Sequence, residues 1–531
     1  LFSIHRSTQA ITLAYLINLL KKEEREKCME KVISALRTYY HLHSEKKFSN
    51  MILLIPHLEF LLKNMEILTI SNDIKEKYIK YLYLRLAYTN EVCADNSLLA
   101  KKYFIEVFNK EIKNRQLSDR EFAYMLRSLA AECADLGDLG EALFYAQECI
   151  KICNKIPNFE VLIIESLKIM GYVYGRKNNF ERAKFYLQAA LNKIREIKGE
   201  ESKEIEAELY NQLAELYSST YINKNLAFEA EGYILKALET SEALLPLYSS
   251  KIKNETSHRR IRFIIKHKWR LGHIYCRLGK YKEAMERGFK EAEYIINKTW
   301  NDYPYQAFKG FVLCGMGEAL LREGQVKLAE DKLTKAILIN EKTLGVNNSA
   351  ILEARVYRAE ARIRLGQLGE AYEDCVSIFK MERKEKNNYL DLIYLASIYH
   401  AAIIKYRQED IKKSLEHFAD FFNYAEPFCK LFLDEKIYRE LESKGIFIKI
   451  LYDNRQPADN IKQYLKNCYL IFSAIYGESH PFVRDYVLQN EKLKDNVVDR
   501  IKGRIQGRME EALWIPEAKS INGSEKRLDL N

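Results

Sequence analysis

The sequence predicts an all-α chain built as an array of antiparallel helix pairs, and three observations carry that reading. Proline and glycine are scarce, 8 and 21 in 531 residues, too few to punctuate the many turns of a sandwich, a barrel or a doubly wound sheet. A helix–turn–helix phrase recurs: RSLAAECADLGDLGEALFYAQECIK from Arg127 to Lys151 returns from Lys168 to Leu191, Trp269 to Ala292, Val312 to Ile337 and Arg355 to Phe379. Lysines stand beside glutamates at helical spacing, as in LKKEEREKCMEK and KMERKEK, where opposite charges one turn apart support a solvated helix face. With 47% hydrophobic and 30% charged residues the chain can bury a large core, which excludes a disordered polypeptide.

The bulk properties remove further classes. The most apolar stretch, Met51 to Leu62, is interrupted by Pro56, His57 and Glu59, so no membrane span is predicted. Cysteines such as Cys133, Cys276, Cys314 and Cys468 are scattered singly through helical text, which fits a reducing, cytoplasmic setting better than a disulfide scaffold. The opening LFSIH has neither an initiator Met nor a cleavable leader, and a fragment lacking its N-terminal part is expected. The net charge of +10 permits an acidic partner without demanding one.

The elements follow in order. Residues 1–70 read as the end of one domain plus a helical arm: FSIHRSTQAITLAYLINLL passes from an extended start into an amphipathic helix through Ser7 or Thr8, and MILLIPHLEFLL is a second helix. Residues 71–483 read as eight or nine helix pairs, clearest over 119–380. Each first helix carries a small residue (Ala130, Gly171, Gly272, Gly317, Ala359), and each second helix carries another twelve positions later (Ala142, Ala183, Ala284, Ala329, Ala371). Small side chains let two antiparallel backbones approach, and aromatic and aliphatic residues fill the remaining space. With Ala100, Ala230, Ser414 and Ile461, the second-helix positions recur every 41 to 54 residues, and the longest intervals hold insertions near 218–229 and 245–260. Residues 484–531 read as a capping helix and a flexible tail.

Gly171, Tyr174, Ala183 and Ala190, like Gly272, Tyr275, Gly279 and Ala284, match the pattern of the tetratricopeptide repeat (TPR), which the chain resembles over about Tyr78 to Val483. Spacing near 42 and the phrases AILINEKTLG and YLIFSAIYGESHP resemble the kinesin-light-chain type. The resemblance implies a right-handed α-solenoid that binds protein or peptide in its concave groove. The arm is similar to that of NB-ARC or STAND signalling NTPases, where a short strand leads into His-Arg-x-x-Gln and a later helix carries Leu-Pro-His. Here those positions are His5, Arg6 and Gln9, and Ile55, Pro56 and His57, whereas Ser7 and Thr8 stand where that family has apolar residues. The likeness implies a nucleotide-binding domain upstream, with this chain as the ligand sensor. A free-standing adaptor is the alternative.

No catalytic signature is present. G-x-x-x-x-G-K-[ST], H-E-x-x-H, C-x-x-C and G-x-S-x-G are all missing, so neither an enzyme nor a cofactor is expected. Cys149 and Cys153, one turn apart, read as core residues, and His41 and His43 as a helix terminus.

Candidate ligand residues fall in two sets. Lys251 to Arg270, KIKNETSHRRIRFIIKHKWR, concentrates Arg259, Arg260 and Arg262 with Trp269, and His273 follows; such a segment holds phosphates or an acidic peptide, or is a solvated helix face over a packed one. A nucleic-acid-binding regulator is the corresponding alternative function. Arg176, Arg277, Arg322 and Arg364 each stand five residues beyond the small position of a first helix, so stacking would align them as a stripe suited to carboxylates. Cations there also suit the negative end of a helix dipole.

Overall fold

The computed structural model describes residues 20–43, 54–65, 70–92, 97–113, 117–177, 179–219, 224–244, 255–299, 306–344, 349–380, 388–433, 435–443 and 457–491. Every regular element among them is a helix and none is a strand, as the scarcity of turn residues predicts. The chain forms two compact units, one of residues 1–366 and 376–394, the other of residues 367–375 and 395–531.

The first unit opens with α1 (Lys22–His43) and α2 (Ile55–Asn64). Helix pairs follow: α3 (Asn72–Val92) with α4 (Ser97–Lys113), α5 (Asp119–Leu136) with α6 (Leu139–Cys153), α7 (Glu160–Arg176) with α8 (Phe180–Ile194), and α9 (Glu200–Ser219) with α10 (Lys224–Ala243). Next come α11 (Glu255–Arg277) with α12, then α13 (Gln306–Arg322) with α14 (Val326–Leu344), and α15 (Ser349–Leu365). First helices α5, α7, α9, α11, α13 and α15 touch one another in sequence, whereas each second helix packs on its own first helix and on the next one. α16 (Leu368–Phe379) and α17 (Asn388–Arg407) contribute residues to both units. The second unit continues with α18 (Ile411–Phe432), α19 (Glu435–Ser443), α20 (Pro457–Tyr476) and α21 (Phe482–Val487 with Leu488–Glu491), around a core of Tyr399, Phe421, Phe472 and Tyr486.

Local chemistry sets the helix ends. Ahead of α5 the Ser118 hydroxyl accepts the Glu121 amide at 3.3 Å while the Glu121 carboxylate accepts the Ser118 amide at 3.0 Å, a reciprocal cap. Gly137 closes the helix at φ 88°, a left-handed conformation that side chains with a Cβ resist.

The small positions do what their spacing predicts. Ala142, Ala183, Ala230, Ala284, Ala329 and Ala371 are fully buried. A Cβ on Gly171 would lie 2.6 Å from Leu187 Cγ, and one on Gly317 would lie 2.5 Å from Leu333 Cγ, so the second helix seats a leucine directly on the first-helix backbone.

One element departs from the simple repeat. α12 begins as Tyr281–Glu283, widens into a π-helical segment Ala284–Phe289, and resumes as Lys290–Thr299. The wider turn brings Gly288 onto Gly272, where a Cβ would sit 2.6 Å from the Gly272 Cα, and drives the Phe289 ring between α11 and α13.

The arm helices share the core of the first repeats: Met29, Ile33, Leu36, Leu54 and Leu58 are buried with Leu82, Leu86 and Phe104. Glu26 accepts the Ser71 amide at 2.8 Å, and the Tyr103 hydroxyl donates to Glu59 at 2.8 Å. Pro56 stands exposed in the first turn of α2, where a missing N–H costs nothing, and His57 is half-buried. His5, Arg6 and Gln9, like the insertion residues 220–223 and 245–254 and the tail 492–531, lie outside the described residues.

Candidate functional site

Each first helix turns one stripe of half-exposed residues to the same side. In α7 the stripe is Glu165, Lys168, Tyr172 and Arg176, and in α9 it is Glu204, Glu208, Asn211 and Glu215. In α11 it is Arg262, Lys266, Trp269, Arg270, His273 and Arg277, in α13 Phe308, Phe311, Glu318 and Arg322, and in α15 Glu353, Tyr357, Glu360 and Arg364. Steps of three and four residues keep each set on one helix face. Contact between successive first helices makes these stripes a continuous surface.

The stripes are cross-linked by charge. Arg127 of α5 holds Glu165 of α7 at 3.0 Å. Arg260 reaches Glu204 at 2.6 Å and Glu200 at 2.7 Å, Lys266 reaches Glu208 at 2.8 Å, and Arg270 reaches Glu215 at 2.8 Å and Asn211 Oδ1 at 3.1 Å. Lys268 pairs with Glu242 and Glu291. Farther along, Arg322 forms a two-point contact with Glu360 at 2.6 and 2.9 Å, and Arg364 reaches the same carboxylate at 2.6 Å. Exposed pairs of this kind contribute little to stability individually, but the Arg322 and Glu360 side chains are only 3% and 1% exposed, and that pair is coupled strongly.

These contacts correct the expectation of a free cationic surface. Within the basic segment Arg260 is committed to two glutamates, and Arg262 lies over the Phe308 ring, 5.7 Å from its centre. Arg259 belongs to α11, but its side chain lies outside the described residues. The arginine stripe is divided: Arg176 ends α7, Arg277, Arg322 and Arg364 end α11, α13 and α15, and the intervening α9 supplies no arginine. Arg176 donates to the Tyr172 hydroxyl at 2.9 Å, and Arg322 is used up by Glu360. The partner was expected to be acidic; the paired charges leave that expectation without a free anchor in Arg260 or Arg322.

The acidic complement was overlooked in the sequence although its signal is there. Glu204, Glu208 and Glu215 in EIEAELYNQLAEL repeat at four- and seven-residue steps, matching the steps of Arg262, Lys266 and Arg270 one first helix later. Burial alone would raise the Glu208 carboxyl, but Lys266, His267 and Lys168 hold it well below the usual carboxylate range.

His267 is fully buried, with Nδ1 3.1 Å from Ser241 Oγ and Nε2 3.7 Å from Glu208. Burial, the largest cause, keeps its pKa below the ordinary 6.5; Glu208 opposes, while Lys266 and Arg270 add to the depression, so the contact with Glu208 is not an ion pair at neutral pH. The unfolded chain takes up a proton here below about pH 6.5 and the folded chain does not, so stability is full above that pH and falls as the pH drops through it. The urea midpoint is expected to fall between about pH 7.5 and about pH 5.5, and to fall less in His267→Gln. Equal losses in both proteins would remove His267 as the cause.

Between α11 and α13 the surface becomes aromatic. Trp269 lies 6.0 Å from Phe311 and meets His273 edge-on at 4.8 Å, and Phe311 meets Phe308 edge-on at 5.9 Å. His273 Nδ1 is 3.6 Å from Glu318. Burial raises the Glu318 carboxyl, but His273, Arg322 and Tyr357 together bring it below its usual value. Cys149 and Cys153 stay in the core, with sulfurs 3.9 Å apart. Among the described residues no three histidine, cysteine or acidic side chains gather as a metal site, and no helix is long and apolar enough to cross a membrane.

No protein-family model matches the chain, and no curated protein matches its sequence. Among solved structures it is similar to NprR in complex with its cognate peptide NprX, at 15% identity over 80% of this chain and 98% of that one, with a TM-score of 0.43. It is similar to a Rap protein complexed with competence and sporulation factor, at 14% identity over 80% and 99%, TM-score 0.44. It is also similar to a signal transduction ATPase with numerous domains and a tetratricopeptide repeat sensor from Pyrococcus horikoshii, at 15% identity over 70% and 57%, TM-score 0.41. At such identities nothing about ligand or activity carries over to this chain.

Proposed function

We propose that the chain binds a peptide or protein segment along the surface of its first helices and acts as the sensing part of a signalling protein, with a nucleotide-binding domain upstream in the same polypeptide. One observation carries the binding reading: α7, α9, α11 and α13 touch in sequence and present aligned stripes in which aromatic rings, amides and charges alternate. An extended ligand laid across those helices would meet one stripe per repeat, the geometry in which many small contacts add. The shared core of α1 and α2 with the first repeats supports the signalling part, because a strain felt by the repeats would reach the arm through packed side chains. The nucleic-acid reading loses support where Arg260, Lys266, Lys268 and Arg270 already hold carboxylates.

A random peptide library displayed on phage and panned on the whole chain tests the reading. Enriched peptides are expected to slow hydrogen exchange in α7, α9, α11 and α13. Protection confined to second helices would place binding elsewhere and overturn it.

A further inference from the structure

We propose that Trp269, Phe308 and Phe311 form an anchor subsite for one large apolar side chain of the ligand; this rests on the peptide-binding reading above. The neighbouring charges are spent within the chain: Arg270 on Glu215, Lys266 on Glu208, Lys268 on Glu242 and Glu291, and Glu318 facing His273. A charged ligand group placed here would have to break one of those pairs or go unmatched, and either outcome opposes binding.

What the chain leaves unspent is apolar surface and one donor. Trp269, Phe308 and Phe311 are only half-buried, and Phe311 and Phe308 line α13 directly opposite Trp269 of α11. The guanidinium of Arg270 lies 5.3 Å from the centre of the Trp269 ring and that of Arg262 lies over Phe308, so the cluster is rimmed by planar cations whose charge is delocalised. The Trp269 indole N–H is buried without any hydrogen-bond partner in the chain. An unmet buried donor is costly, and a ligand carbonyl seated beside the apolar side chain relieves it. An aromatic wall, a rim of paired charge and one unmet donor match the composition of energetic anchor points at interfaces.

The test uses the peptides enriched by panning on the whole chain. They are expected to share a Phe, Trp, Leu or Met at one position, and to bind roughly tenfold or more weakly to Trp269→Ala and to Phe311→Ala. Trp269→Phe, which keeps the ring surface and removes the N–H, is expected to fall between wild type and Trp269→Ala. Affinity is expected to change by no more than about threefold between low and high salt, because no unpaired ions are joined. Circular dichroism melts that match wild type show that each variant is folded; a misfolded Trp269→Ala leaves Phe311→Ala and the salt series to decide. Enriched peptides dominated by Asp and Glu, with steep salt dependence and indifference to both aromatic variants, would overturn the anchor and leave peptide binding standing. Panning that enriches nothing would sink the peptide-binding reading itself.

Discussion

Phe289→Ala is expected to lower the free energy of unfolding by about 3–5 kcal/mol, read as a shift in the first transition of chemical denaturation. The ring is fully buried and occupies a slot that only glycines can form. A Cβ on Gly272 would approach its Cε1 to 2.5 Å, and one on Gly315 would approach it to 2.4 Å, from α11 and α13 respectively. The Ala variant removes the ring while two bare backbones stay apart, leaving a cavity between three helices. Gly315→Ala pushes on the same ring from the other side and is expected to cost about 1–3 kcal/mol through overpacking. Because both act on one space, the double variant Phe289→Ala, Gly315→Ala is expected to lose less than the sum. A loss below about 1 kcal/mol in Phe289→Ala would show that the slot is not tightly filled. Since His273 meets Phe289 edge-on at 5.4 Å and Trp269 in turn, peptide affinity is expected to fall with Phe289→Ala although the ring faces no ligand.

Arg322→Ala is expected to be comparably severe, about 3–5 kcal/mol, and for a different reason. Glu360 is fully buried, and without Arg322 it keeps its charge with only the more exposed Arg364 among the cations described above. Replacing both partners, Arg322→Met with Glu360→Leu, removes the charge along with its complement and is expected to recover most of the loss. A double-mutant cycle measures this directly. A double variant as unstable as Arg322→Ala alone would mean that the pair acts through packing and not through charge. The same double variant separates stability from recognition, because the anchor between α11 and α13 does not use Arg322 and peptide affinity should persist.

The repeat architecture was legible because its determinants are local and periodic. A small residue such as Gly171 and its partner Ala183 announce a helix contact within one short phrase, and Gly171 does lie against Leu187. The alignment of Arg277, Arg322 and Arg364 at first-helix ends was legible for the same reason. What each arginine does was not, since the fate of Arg322 depends on Glu360 and that of Arg260 on Glu200 and Glu204, partners in other helices. The basic text KIKNETSHRRIRFIIKHKWR looked like a ligand site because the acidic stripe that answers it is written far upstream. Gly288 and Phe289 carried no sign of the π-helical turn. Their sequence fits an ordinary helix, and only the close crossing at Gly272 makes the wider turn favourable.

That wider turn limits how the chain can change length. A π-helical turn holds more residues than an α-helical one, so deleting a single codon within Ala284–Phe289 would let the backbone return to regular pitch and rotate everything after it by about 100°. Exposed Tyr294 would swing away from water, and buried Ile295 and Ile296 would leave the core. Between the pairs the same chain absorbs differences of many residues, as spacings from 41 to 54 show. Here it tolerates no change in length, so among related chains this segment should keep its reading-frame length while the loops around it drift.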